Sequence, residues 1–112
     1  MLTVSKEVNR GIIFIRLEGE LTKNNLKKVV EEINYLLYKQ GMLAYVFNLE
    51  AVNKVDKTIL TIIQNKLTEI FLRCGSVAFC GISEKLKKLL GERNNNLFYI
   101  KEEQEAFQYI SI

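Results

Sequence analysis

The stretch Tyr45-Val46-Phe47-Asn48-Leu49-Glu50-Ala51-Val52-Asn53-Lys54-Val55-Asp56-Lys57-Thr58-Ile59-Leu60, continuing to Leu67, holds a strand, a junction and a helix in succession. Tyr45 to Leu49 is apolar and rich in β-branched and aromatic residues, the composition of a strand buried on at least one face. From Lys57 onward, apolar residues return at Leu60, Ile63, Leu67, Ile70 and Phe71, which is helical spacing. Asp56 stands where the two meet. Its carboxylate suits a helix cap, because it accepts hydrogen bonds from the first free backbone N–H groups and complements the positive end of the helix dipole. Lys57 and Thr58 then fall in the first turn. A hydroxyl at a helix amino end, just past the carboxyl end of a strand, lies where an open α/β sheet displays its chemistry.

Outward from this stretch, the amino-terminal side predicts a hairpin: a strand from Leu2 to Val8, a turn at Asn9-Arg10-Gly11 and a strand from Ile12 to Leu21. Thr22 precedes a helix with Leu26, Val29, Val30, Ile33, Leu36 and Leu37 on one stripe, ended by Gly41 as a left-handed cap. The central strand is expected over Met42 to Leu49 and its helix over Lys57 to Cys74, with Gly75 ending it. Beyond lie a strand at Val77 to Cys80, a helix capped by Ser83 and carrying Leu86, Leu89 and Leu90, and a polar surface loop at Asn94-Asn95-Asn96. A strand from Leu97 to Ile100 and a helix from Glu102 to Ile110 complete the chain. The order ββαβαβαβα predicts an α/β fold with helices packed on a mixed, mostly parallel sheet, joined by right-handed crossovers, with the hairpin as its antiparallel part.

Composition narrows the function classes. At 112 residues the chain suits one domain. Its 48% apolar and 26% charged residues are ordinary for a globular protein. No apolar run reaches the ~18 residues needed to span a bilayer, and Met1 to Glu7 lacks the pattern of a signal peptide; a cytoplasmic protein without membrane insertion is expected. The net charge of +3 is spread among acidic residues, and direct nucleic-acid binding would call for a denser basic face. With no histidine in the chain, the usual triads, imidazole acid–base chemistry and most zinc catalytic sites are excluded. The two cysteines cannot by themselves make a four-ligand zinc site. Cys80, in an apolar strand, reads as a small buried side chain, while Cys74, beside Arg73 at a helix end, stays open. Neither G-x-x-x-x-G-K-[ST] nor G-x-G-x-x-G is present. The expectation is a protein that is not an enzyme, with no catalytic residue, metal or cofactor.

With this layout, Arg16-Leu17-Glu18-Gly19-Glu20-Leu21, Phe47-Asn48-Leu49, Val55-Asp56-Lys57-Thr58 and the Glu105-Ala106 pair resemble the STAS domain of bacterial anti-sigma factor antagonists. The resemblance covers nearly the whole chain, so residues 1–112 are expected to form a single STAS-like domain. It implies a module that docks an anti-sigma factor, itself a serine/threonine kinase, and so releases a sigma factor. In that family the first motif reads G-E-L-D, the third strand ends in D-L-S, and the next helix opens D-S-S-G, its second serine being the phosphoacceptor. By position, Asp56 matches the aspartate, Lys57 the first serine and Thr58 the acceptor. This chain departs from the pattern at Thr22, Asn48, Lys57 and Ile59.

Thr58 is therefore the phosphoacceptor candidate, and Asp56, Lys57, Ile59, Ile62, Thr22, Asn24 and Asn25 are candidates for the partner surface. A helical wheel at about 100° per residue sets Thr58, Ile62, Asn65, Lys66 and Glu69 away from the Leu60, Ile63, Leu67 and Phe71 stripe. Ile62 is then an apolar residue on a polar face. Two other readings stay open: a permanent scaffold or transporter-associated subunit in which Thr58 only supports a helical turn, and a nucleotide-binding domain or enzyme using Asp56 and Thr58. Lys85, Lys87 and Lys88 read as a solvated face, with an acidic partner as the sharper alternative. No oligomeric state is implied.

Overall fold

A computed structural model describes residues 1–92 and 96–110 of the chain. Of the expected polar loop, Asn94 and Asn95 lie outside the described residues. Among those described, five strands form a mixed sheet in the order β1-β2-β3-β4-β5. β1 (Leu2–Asn9) and β2 (Ile12–Leu21) make the antiparallel hairpin. Arg10 and Gly11, at φ +52 and +79, form its two-residue turn with the twist that hairpins favour. β3 (Ala44–Val55), β4 (Ser76–Cys80) and β5 (Leu97–Ile100) then add in parallel, each beside the last.

That order decides where the helices go. Three successive right-handed crossovers stepping in one direction must all pass over the same face. On that face lie α1 (Lys23–Asn34), α2 (Leu60–Leu72) and α3 (Glu84–Leu90). Leu26, Val29, Ile33, Leu67, Ile70 and Leu86 pack there on Ile13, Ile15, Leu17, Phe47, Val77 and Leu97. Phe47, Phe79 and Tyr99 stand opposite one another in register, with ring centroids 5.6 and 6.2 Å apart, so the aromatic stack crosses three parallel strands. The other face carries α4 (Ala106–Tyr109) alone among the described helices. Ala106, Phe107 and Ile110 cover Ile12, Phe14, Val46, Ala78, Phe98 and Ile100 there.

Three local differences from the expected elements have physical causes. β3 continues beyond Leu49 to Val55, because Ala51 to Val55 pair with Glu18 to Leu21 of β2 through two register shifts. β4 has already ended at Cys80, so this tail is paired on one side only and lacks the apolar alternation of a central strand. At the end of α1, Tyr35–Lys39 widen into a π-helical turn before Gly41 at φ +65. At the end of α2 the left-handed residue is Cys74, at φ +62, rather than Gly75. The Cys74 N–H bonds Phe71 O and the Gly75 N–H bonds Ile70 O, both at 2.9 Å, which is a Schellman closure. Gly75 is needed for close approach instead: a Cβ there would meet Leu43 O at 2.8 Å and Ile70 O at 2.9 Å.

Candidate docking site

The junctions before α1 and α2 are built alike and tied together. Thr22 Oγ1 accepts from the Asn25 N–H at 3.4 Å, while Asn25 Oδ1 accepts from the Thr22 N–H at 2.8 Å, a reciprocal capping box. Asp56 Oδ1 accepts from the Thr58 N–H at 3.2 Å, as its junction position predicts. The Asp56 N–H in turn donates to Leu21 O at 2.9 Å. This bond joins the end of β3 to the end of β2 and so sets the Thr22–Asn25 segment beside the Asp56–Thr58 turn, which packs against α1.

Among the predicted site residues, Asn24, Lys57 and Thr58 are exposed and Thr22, Asn25 and Asp56 are half-buried. Ile59 is a correction. Its side chain is 0% exposed, in the core beneath the junction, so it supports the surface from below and is not part of it. Ile62 is a second correction. It is half-buried against the core and lines a cavity of about 50 Å³ with Leu21, Leu26, Val29 and Val30.

The two corrections have different causes: the form of the turn before α2 accounts for Ile59, and the neighbouring helix α1 for Ile62. Lys57–Ile59 form a 3-10 turn, and the α-helix starts only at Leu60. A 3-10 turn advances about 120° per residue against about 100° in an α-helix, so a wheel drawn from Lys57 starts out of phase. Ile59 takes the core position expected of Leu60, and Leu60 is half-buried. The flank carrying Ile62, Lys66 and Glu69 turns toward α1. Lys66 Nζ donates to Asn34 Oδ1 at 2.5 Å and pairs with Glu69 at 2.9 Å, while the Tyr38 hydroxyl donates to Glu69. These bonds hold the Glu69 carboxyl below its usual range, the Tyr38 contact contributing most. That flank of the expected polar face is therefore a helix–helix seam, while Thr58 and Asn65 are exposed. The exposed residues of α2 are Thr61, Gln64, Asn65, Thr68 and Leu72, and Thr61 is the one that follows Thr58 most closely. Thr61 sits at i+3 from Thr58, a spacing that the sequence already displays.

A separate polar cluster sits on the α4 face. Arg16 forks onto Glu103, donating from Nε at 2.8 Å and from Nη2 at 2.7 Å, and its Nη1 reaches Glu7 at 2.9 Å. Asn48 Nδ2 donates to Glu103 at 2.8 Å, while its Oδ1 accepts from the Glu50 N–H at 2.9 Å. The Arg16 bonds, then Asn48, hold the Glu103 carboxyl below its ordinary range against the opposing effect of burial. An aspartate at position 48 could not donate to Glu103, so the asparagine has a structural reason here. Cys80, buried nearby, places Sγ 3.2 Å from Lys101 O, and its thiol is pushed up to about 11, first by burial and then by the Glu50 charge. It is a structural cysteine, as its apolar strand predicts. Cys74 is exposed.

The STAS domain family model matches residues 3–99, and the chain belongs to that family. Its fold is similar to that of the anti-sigma factor antagonist SpoIIAA in its unphosphorylated form, at a TM-score of 0.77 and 19% identity, covering 95% of this chain and 96% of that one. The phosphorylated form of Bacillus SpoIIAA aligns at a TM-score of 0.74 and 20% identity, over 95% and 97% of the two chains. An anti-sigma factor antagonist from Mycobacterium paratuberculosis aligns at 0.70 and 17%, over 96% and 92%. Among the described residues, no helix is long and apolar enough to cross a membrane.

Proposed function

We propose that the chain is a cytosolic regulatory binding module that docks an anti-sigma factor, itself a serine/threonine kinase-like protein, and so frees a sigma factor. The docking surface comprises Asp56, Lys57, Thr58 and Thr61 with Asn24 and the Thr22–Asn25 turn beside them, and Thr58 is its phosphoacceptor. The observation that carries this reading is the exposed Thr58 in the first turn, two residues after the Asp56 cap that accepts from its N–H and next to the buried Ile59. The similar SpoIIAA structures, in unphosphorylated and phosphorylated forms, support it further. A phosphate there would add about −1.5 to −2 charges at a helix amino end beside Lys57. Such a charge is compatible with the dipole and leaves the fold in place, so its effect falls on the partner. The module acts by competition and carries out no chemistry of its own.

The experiment is mass spectrometry of the chain after incubation with its copurified partner and ATP, followed by binding assays. Phosphate is expected on Thr58. Thr58→Glu is expected to weaken partner binding with an unchanged melt, and Thr58→Ala to bind but resist inactivation. No phosphate at Thr58, together with unchanged binding by Thr58→Glu, would leave a scaffold or transporter-associated subunit as the better reading.

A further inference from the structure

Behind the Thr58 turn, an open groove of about 280 Å³ runs between the free tail of β3, the Asp56–Leu60 junction and α3. Its floor is apolar, made by Val52, Leu60 and Leu89, the last 44% exposed. Lys54, Lys57 and Lys85 stand along it, and Lys88 joins where the groove continues over Leu60 and Leu89. All four lysines are exposed, and none is ion-paired with any described residue. By contrast Lys87, on the same helix, leans over the Tyr99 ring at 5.0 Å and pairs with Glu84 at 4.0 Å. Asp56, already engaged as a cap, is the one acidic residue of the lining. The groove therefore holds the equivalent of the chain's whole net charge of +3, and basic and acidic residues are equal in number elsewhere.

We propose that this groove is the docking site for an acidic amphipathic helix of the partner protein, with leucine- or phenylalanine-type anchors on Val52, Leu60 and Leu89 and carboxylates facing the four lysines. The proposal rests on the reading of the chain as a partner-docking module, but not on modification of Thr58. Apolar anchors in a desolvated groove supply affinity. Charge complementarity supplies register and on-rate, and relieves the mutual repulsion of four unpaired lysines. The apolar floor distinguishes this surface from a phosphate-reading one, and its concavity from one that lies on a bilayer. Lys57 is shared with the Thr58 turn. A phosphate on Thr58 would compete with the carboxylates of the docked helix for Lys57, which gives the proposed switch a physical means of weakening the complex.

The test titrates the full chain with a synthetic acidic peptide of about four helical turns, with leucines at i, i+3, i+4 and i+7 and Asp and Glu elsewhere, followed by amide NMR and fluorescence anisotropy. A scrambled peptide of the same composition, a single-stranded oligonucleotide and phosphatidylglycerol vesicles are the comparison probes. The amphipathic peptide is expected to shift the Val52, Leu60, Lys85 and Leu89 amides and to bind more weakly as salt rises. The double variant Lys85→Glu/Lys88→Glu is expected to lose about tenfold in affinity, and Lys27→Glu/Lys28→Glu, on the exposed side of α1, less than about twofold. Absence of groove shifts at about millimolar peptide, equal binding of the scrambled peptide, or tighter binding of the oligonucleotide or the vesicles overturns the proposal. A copurified anti-sigma factor whose binding ignores Lys85→Glu/Lys88→Glu overturns the groove alone. Groove binding of the peptide without any such partner leaves the groove standing and removes the anti-sigma reading.

Discussion

On one face of the sheet Ile59, Leu67 and Ile70 sink among Leu26, Val29, Phe47 and Val77, and three helices share the load through apolar area. On the other face α4 is only four residues long, and its attachment combines Ala106, Phe107 and Ile110 with the Arg16–Glu103–Asn48 cluster. The first face tolerates surface change because the packing beneath is redundant. The second depends on a few directional bonds, which lose their strength if one partner changes charge. Thr58 and the lysine-lined groove belong to the first face, where a partner can be gained or lost without disturbing the fold.

The sharpest way to break this contrast is Ile59→Ala. A fully buried isoleucine reduced to alanine is expected to cost about 2–5 kcal/mol, measured by urea unfolding, and more than Leu60→Ala or Ile62→Ala, whose side chains are half-buried. A larger loss at Leu60 than at Ile59 would mean that the first turn is not 3-10. Next in size is Asn48→Asp on the other face. It replaces a donor 2.8 Å from Glu103 by a second carboxylate and is expected to cost about 1–3 kcal/mol. Because the repulsion ends when either acid is protonated, the difference in melting temperature from the parent should narrow as pH falls.

The Glu103 carboxyl titrates below its ordinary range, so its stabilising effect is fully present above that range and is lost as pH falls through the depressed value. Arg16, held even further above its already high value by Glu103 and Glu7, stays charged throughout. Amide exchange is therefore expected to show α4, from Ala106 to Tyr109, loosening in acid before α1 and α2, and Glu103→Gln should remove that pH dependence. Smallest is Asp56→Ala, a lost cap of roughly 0.5–2 kcal/mol. It should be seen as faster exchange at the Thr58 amide with the sheet unaffected, and a global collapse would show the two junctions to be more tightly coupled than their single Asp56–Leu21 bond implies.

Hydrophobic periodicity, the two capping residues and the alternation of strands with helices sufficed to read the element order, the hairpin, β2 and β5 to their exact ends, and the caps at Asp56 and Ser83, whereas the capping box of Thr22 with Asn25 is a finding of the structure. These features are local: each depends on the few residues around it and on backbone groups that must be satisfied wherever the chain runs. The tail of β3 was not legible, because its pairing is supplied by β2 from far away in sequence. The form of the turn before α2 was not legible either, because a 3-10 turn and an α-turn can share the residues Lys57-Thr58-Ile59, and only burial of Ile59 against the sheet selects between them. The packing of α1 beside α2, another tertiary choice, turned Ile62, Lys66 and Glu69 from an expected surface into a seam. The crossover also brought Lys54 and Lys57 beside Lys85 and Lys88, a grouping no spacing in the sequence displays, since charges separated by 28 to 34 residues become neighbours only when their elements are placed side by side.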